Sequence, residues 1–398
     1  MQLPRLAPLA LAGALLTTAC EPDAPLDGDD PGVVPTVAPE AGFDTGAPYY
    51  GSGPMLQLGE PLENPYHIDT VRRAYAGLVA RSPEAVAEAV PVTHYYVRFL
   101  PATVAEVDLL NDATDLELFD HPLLYEIASE GNWYKDPAVE DGYPTWMYSV
   151  VPADYAFPAV RYELIDPLHM PNEDIDDAAA GYASGLTATD VEEAALALTA
   201  DVMGGSSEAQ LESRAKKYYP SGRIRVEEFT RRRGYEDIDG LHGIKVRARR
   251  GLKYGTTHTA ADGTFKVNKK FRYNVRYSVE FEVVGYKITN SLGFSINYTG
   301  PSRKAGWNHD FRFAGTEDWA HATLVQLTKG YLIQAQDANL LSYHPKNVKL
   351  RPKFEDGRSN AVRAVRHTVP LGGLVVYNDV IVYMEWESGQ QLRTDELT

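Results

Sequence analysis

The sequence predicts an α+β multidomain protein: a small α+β N-terminal domain, a helical connector, a central β-sandwich and a C-terminal α+β segment. Three observations predict it. The apolar period changes along the chain from helical spacing to strict alternation and back. Several short alternating stretches, separated by Gly-centred turns, lie between residues 221 and 286. Charge is also divided: 36 acidic and 6 basic residues between Glu21 and Ser213, then 18 basic and 6 acidic between Arg214 and Arg276. At 398 residues and 44% hydrophobic content the chain can bury two or three cores, which excludes disorder throughout.

Residues 1–20 come first. Arg5 precedes an apolar run, Leu6 to Leu16, broken by Pro8 and Gly13 and followed by Thr17-Thr18-Ala19-Cys20. A membrane span needs about 20 apolar residues, so the layout is that of an export signal with a processing site. The segment resembles a bacterial lipoprotein signal, with Thr17 standing where such signals usually carry Leu. The resemblance implies that Cys20 is lipidated and becomes the first residue of a membrane-anchored chain. Glu21 stands where an Asp commonly retains such proteins at the inner membrane, so the outer membrane is expected. The other reading is an ordinary secretory signal. Cys20 is the only cysteine, so once acylated it leaves none for a disulfide or a thiolate metal site.

Residues 21–65 are rich in Pro, Gly, Asp and Ala and read as a disordered acidic tether. Its Asp27-Gly28-Asp29-Asp30 cluster is followed by Pro31 and lacks a calcium-loop ligand pattern. Residues 66–172 read as an α+β domain. Ile68, Val71, Tyr75, Leu78 and Val79 recur at helical spacing, and Val92 to Phe99 alternates as a strand. Thr103 caps a helix running to Asp112 with Val104, Val107, Leu110 and Leu109 facing inward, and Leu116–Phe119 and Thr145–Val151 read as strands. Residues 173–220 read as a helical connector, with one helix from Val191 to Met203, started by Asp190 and Glu193, and another from Glu208 to Tyr218.

Residues 221–300 read as the sandwich. Strands are expected at Gly222–Val226, Leu241–Arg249, Thr256–Thr259, Thr264–Val267 and Tyr277–Val283, with Asp262-Gly263 turning a hairpin. The elements Leu241-x-Gly243-Ile244-x-Val246-x-Ala248 and Thr259-x-x-Asp262-Gly263-x-Phe265, then a strand ending at Gly285-Tyr286, resemble the carboxypeptidase regulatory-like domain. That resemblance implies a seven-stranded Ig-like, prealbumin-like sandwich, common in bacterial surface proteins and without catalytic residues of its own. The excursion from Arg231-Arg232-Arg233 to Asp239 departs from the pattern. The basic segment either docks on an anionic partner, such as lipopolysaccharide or an acidic polymer, or packs against the acidic half of its own chain. Residues 301–398 read as an α+β segment. It has a helix from Trp319 to Ala335 with Ala322, Val325, Leu332 and Ile333 on one face. Strands follow at Val348–Leu350 and at Leu374–Met384, the latter bent near Asn378-Asp379.

No catalytic set is complete. The sequence has no Gly-x-Ser-x-Gly elbow, no Walker loop, no dinucleotide fingerprint and no His-Glu-x-x-His helix, so no catalytic residue, cofactor or metal ligand is assigned. Glu317, Asp318 and His321 lie within one helical turn and could hold a metal, or could complement the helix dipole. Asp174, Asp176 and Asp177 could do acid-base work only in an enclosed cleft, and at an exposed helix start read as dipole complements. Trp133-Tyr134, Trp146, Tyr148 and Tyr155 could stack on sugar rings or serve as core. Arg231, Arg232 and Arg233 could hold an anion, whereas nucleic acid is not expected because no aromatic stacking positions interleave with them.

A second resemblance rests on Tyr95-Tyr96-Val97-Arg98-Phe99 and Leu118-Phe119-Asp120-His121-Pro122-Leu123-x-Tyr125-Glu126-Ile127. These are similar to bacterial surface proteins in which a regulatory-like sandwich follows and, in some, a zinc-peptidase-like domain. The expectation is a cell-envelope lipoprotein acting as a non-catalytic binding or scaffold module. It meets the membrane through its anchor and has an anionic envelope polymer or surface protein as partner. The alternative is a truncated or degenerate zinc-metallopeptidase-like surface protein.

Overall fold

The chain is seen in a computed structural model that describes residues 50–81, 90–140, 143–171, 182, 185–199, 217–229, 236–304, 306–312, 316–337, 348–355, 362–368 and 375–385. All of them belong to one unit within residues 34–398. The fold is mixed α+β and rich in strands, with four helices and five sheets among the described residues.

The first elements are β1 (Gln57–Pro61), α1 (Ile68–Val79), β2 (His94–Phe99), α2 (Val104–Asp112), β3 (Tyr125–Ser129), β4 (Met147–Pro152), β5 (Tyr162–Leu168) and α3 (Ala188–Leu198). β2 is the centre of an antiparallel sheet ordered β4-β2-β5 and buries Val97 and Phe99 completely. α2 starts at Thr103, whose side chain accepts a hydrogen bond from the Glu106 backbone N–H, satisfying one of the unpaired donors of the first turn. Val107 and Leu110 face inward as expected, but Leu109 is exposed. Leu116–Phe119 is no strand; Phe119 makes a single bridge to Tyr148. β5 escaped the sequence because it contains Pro167, which the free side of an edge strand tolerates.

Two boundaries move. The stretch expected to be a tether as far as residue 65 includes β1, which pairs with β3. The stretch expected to connect domains includes α3, which shares a core with α1: Ile68, Val71 and Tyr75 pack with Ala188, Val191 and Ala195. α3 also begins three residues earlier than expected, because Thr187 and Asp190 form a reciprocal capping box. The expected helix over Glu208–Tyr218 lies almost wholly outside the described residues, and Tyr218 itself bridges to Phe271.

Next come β6 (Ser221–Phe229), β7 (Glu236–Gly240), β8 (Lys245–Arg250), β9 (Lys253–His258), β10 (Thr264–Lys266), β11 (Val275–Glu280), β12 (Glu282–Val283), β13 (Tyr286–Ile288), β14 (Asn297–Arg303) and β15 (Trp307–Phe311). One sheet runs β10-β6-β15 with β7 also on β6, and a second runs β14-β11-β8-β9. The two share a core containing Ile224, Val226, Phe265 and Trp307 from the first and Val246, Ala248, Tyr277 and Val279 from the second. Asp262-Gly263 therefore turns no hairpin. β9 pairs with β8 while β10 pairs with β6, so the turn carries the chain from one sheet to the other. The last part of the expected excursion, from Glu236, is strand β7, which runs back along β6; Arg231, Arg232 and Arg233 are outside the described residues.

α4 (Glu317–Asp337), β16 (Val348–Glu355), β17 (Val362–Thr368) and β18 (Val375–Glu385) complete the order. They form no separate body. β16 pairs with β13 in a sheet ordered β12-β13-β16-β18-β17, so the third sheet grows from the strands just before it. The bend expected near Asn378 is a bulge: Val365 faces Asp379 and Arg366 faces Tyr377, leaving Asn378 unmatched. No helix among the described residues is long and apolar enough to cross a membrane.

α4 is buried on every side from Trp319 to Val325, in place of the single apolar face expected, and Ile333 is exposed. His321 is fully buried there against Phe281, with ring centroids 5.3 Å apart. Burial pushes its pKa down to about 3. Between the unfolded value of 6.5 and about 3, the unfolded chain binds a proton that the folded chain refuses, so stability falls as pH falls. Unfolding free energies from urea titrations between pH 7 and pH 4 are expected to drop by up to about 1.4 kcal/mol per pH unit from this group. His321→Gln should flatten that slope, and an unchanged slope would refute the assignment.

Candidate ligand-binding cleft

Strand alternation places the charged residues of the site. In β8, Val246 and Ala248 point into the two-sheet core, so Lys245, Arg247 and Arg249 point the other way, toward the N-terminal elements. The acidic half of the chain meets them. Glu117, just after α2, reaches over the sheet, and Lys245 Nζ lies 2.9 Å from Glu117 and 3.1 Å from Glu280, its cross-strand neighbour on β11. Arg247 Nε donates to Glu117 at 2.7 Å, and its guanidinium also pairs with Glu280. Elsewhere along the same join Lys253 Nζ holds Glu192 at 2.7 Å, Arg272 holds Glu193 at 2.5 Å, and Arg276 pairs with Glu130. For these residues, the partner of the basic segment is the chain's own acidic half.

A cleft of about 390 Å³ opens above this ionic floor, between α2 with the segments 113–120 and 132–134 on one side and β8, β9 and β11–β13 on the other. Burial would raise the Glu117 carboxyl, but Arg247 and Lys245 outweigh it and hold it below the usual carboxylate range. Glu282 is likewise held down against burial, by Lys245, Lys287 and a 2.9 Å hydrogen bond from Ser295 Oγ. Lys287 is buried and its ammonium pKa is lowered by desolvation. It donates to Asn111 Oδ1 at 3.0 Å and stands 4.0 Å from Glu282.

An aromatic rim closes one end. Tyr50 stacks on Trp133 at 5.4 Å and 14°, and Trp133 Nε1 donates to Gly53 O. The loop carrying Trp133 is clamped on both sides: Leu56 N donates to Trp133 O, while Thr299 N donates to Asn132 Oδ1 at 2.8 Å. Gly131 permits the clamp, since a Cβ there would lie 2.1 Å from Leu56 N.

A smaller void of about 40 Å³ adjoins the cleft, and Asp120, Asn132, Trp133 and Asn297 line both. Behind it His121 Nδ1 lies 2.7 Å from Asp120 Oδ1, and Arg249 Nη2 lies 3.0 Å from His121 Nε2. A guanidinium can only donate, so Nε2 accepts and Nδ1 carries the proton donated to Asp120. Desolvation lowers the His121 pKa despite Asp120, in keeping with the neutral ring. Both ring nitrogens are thus engaged, and this Asp-His pair offers no free general base. With Glu117 and Glu282 held ionised, neither can serve as a general acid at neutral pH.

The residues singled out in the sequence fare differently. Cys20, Arg231, Arg232, Arg233, Asp174, Asp176 and Asp177 lie outside the described residues. Glu317, Asp318 and His321 do not form a metal-binding group; Asp318 accepts a hydrogen bond from Ser52, and no such group is found among the described residues. Trp146 and Tyr148 are core, Trp146 lying under the Arg98 guanidinium at 4.1 Å, and Tyr155 packs edge-on against Phe157. Trp133 and Tyr134 line the cleft. The sequence reading missed Glu117, Lys245, Arg247, Glu280, Lys287, Asn132 and Asn297. The one available signal was Lys-Val-Arg-Ala-Arg itself, where every second residue of a strand is basic and that face needs an acidic cover.

Comparison with known protein families, curated proteins and solved structures finds no match to this chain.

Proposed function

We propose that the protein is a non-catalytic binding module anchored in the cell envelope through a lipid on Cys20, with the cleft as its ligand site. One observation carries the reading. The charged groups of the cleft floor are paired with one another, while Trp133 and the amides of Asn132 and Asn297 line the space beside them. Such a site selects and holds a small polar molecule. We further infer that the two-sheet unit is a carboxypeptidase regulatory-like sandwich. Leu241, Ile244, Val246, Ala248 and Phe265, the residues that carry the resemblance, are all buried in the shared core. Arg231, Arg232 and Arg233 are assigned to contact with an anionic envelope polymer.

The test is a thermal-shift screen of the full chain against sugars, amino acids, dipeptides, nucleosides and dicarboxylates. A ligand at 100 times its Kd should add about 2.7 kcal/mol of stability, a rise of several degrees in Tm. Glu282→Gln, which changes the cleft wall, should alter the response. A screen with no hit, or turnover of a peptide substrate with stoichiometric zinc, would overturn the binding role. For the anchor, Cys20→Ser is expected to release the protein from membranes, and retention there would place the anchor elsewhere.

A further inference from the structure

We infer that the ligand of this cleft is a neutral saccharide unit, held on Trp133 between the side-chain amides of Asn132 and Asn297. The inference rests on the binding role proposed above and names its ligand class.

Charge argues first. The ionic floor pairs Glu117 and Glu280 with Lys245 and Arg247, and Asp120 is taken by His121 and the Tyr134 N–H at 2.7 Å. An ionic ligand on the floor would have to break these pairs to find a counter-charge there, at the cost of leaving a buried charge unpaired, and Arg249 beside the adjoining void is already held by His121 Nε2 and the Leu123 and Gly251 carbonyls. A ligand rich in hydroxyls needs no counter-charge.

The unspent hydrogen-bonding groups argue second. Asn297 faces Glu280 across β14 and β11, and its Oδ1 is buried with no hydrogen-bond partner among the described residues. A buried acceptor of this kind calls for a donor, and a sugar hydroxyl is both donor and acceptor. Asn132 spends its Oδ1 on Thr299 N, and its amide N–H groups meet no acceptor among the described residues. One amide therefore offers an acceptor and the other a pair of donors, and both line the same spaces as Trp133.

The aromatic surface argues third. Trp133 lines both the cleft and the adjoining void and is fixed in orientation by its Nε1–H bond to Gly53 O and by the stacked Tyr50 ring. Sugar rings present a face of C–H groups that packs on an aromatic plane while the hydroxyls at the ring edge reach polar side chains. The volume of about 390 Å³ accommodates a small ligand of this kind with its substituents.

The test uses the purified full chain and three panels. One holds neutral mono- and oligosaccharides of glucose, galactose, mannose and N-acetylglucosamine. The second holds uronic and sialic acid glycans, and the third amino acids and dipeptides. Binding is read by ligand-observed NMR and calorimetry, and the same neutral glycans are then offered on insoluble polysaccharide to separate a free sugar from a polymer end. A neutral saccharide is expected to bind, with Trp133→Ala and Asn297→Ala each weakening it about tenfold and Trp133→Phe retaining most of it. Asn297→Ala is the decisive variant, because it removes no packed ring; its thermal melt should match that of the parent. Binding confined to the charged or amino-acid panels would overturn the saccharide assignment and leave the binding role intact. Saccharide binding indifferent to both substitutions would remove it from this cleft. No binding by any panel would overturn both readings.

Discussion

Replacing Arg247 by leucine is expected to destabilise the protein by about 3–5 kcal/mol. Arg247 is 5% exposed and holds two carboxylates from different halves of the chain, Glu117 and Glu280. Without it, both carboxylates remain buried on the single ammonium of Lys245, and their mutual repulsion is no longer screened. The cost arises from the groups left behind more than from the bond removed. The double variant Arg247→Leu with Glu280→Leu should therefore recover a large part of the loss, because it removes one of the stranded charges together with its partner. Urea unfolding of the parent, both single variants and the double variant measures this directly. An Arg247→Leu cost below about 1 kcal/mol would mean that water reaches the floor and that it does not join the two halves. The sign with pH follows. Glu117 has a folded pKa below its unfolded value, so its contribution is present above the ordinary carboxylate range and is lost as pH falls through the folded value. Arg247→Leu should shrink that acid-labile part.

Gly263→Ala is expected to cost about 3–5 kcal/mol, a large effect for one methyl group. Gly263 has φ +81, and a Cβ there would lie 2.1 Å from the carbonyl oxygen of Ile224. That oxygen belongs to the backbone of β6, whose Ile224 N–H in turn donates to Gly263 O at 2.9 Å. Neither side can give way without opening the crossing between the two sheets. The neighbouring Asp262→Ala, which removes the exposed Oδ1 acceptor of the Thr264 N–H and hydroxyl, should cost far less. Comparable midpoints for Gly263→Ala and the parent would show that the crossing relaxes freely.

Local features of the fold were legible where local chemistry decides them. Thr103 announced α2, the spacing of Ile68, Val71 and Tyr75 announced α1, and Asn378 announced a break in β18. What could not be read is which strand pairs with which. Asp262-Gly263 carries the turn signal in its backbone preferences, but whether the next strand joins its predecessor depends on β6, some 40 residues earlier. The site was hidden for the same reason. Lys245 and Arg247 read as a basic strand face, yet Glu117 lies 130 residues before Arg247, and periodicity carries no information at that range. Trp133 could not be told from core because its surroundings are assembled by Gly53 and Asn297, which no spacing connects to it.

The join between acidic and basic halves also sets a clock on biogenesis. Chains emerge from the ribosome at roughly 5–20 residues per second, so Glu117 waits on the order of ten seconds for Arg247 to follow. Throughout that interval the leading half carries its negative charge uncompensated. Excess like charge favours an expanded chain and disfavours association with other chains. The later arrival of the cationic strands then ends the repulsion and draws the two halves together. Charge segregation along the chain thus sets an order of synthesis, in which the acidic half always precedes the cationic strands that neutralise it.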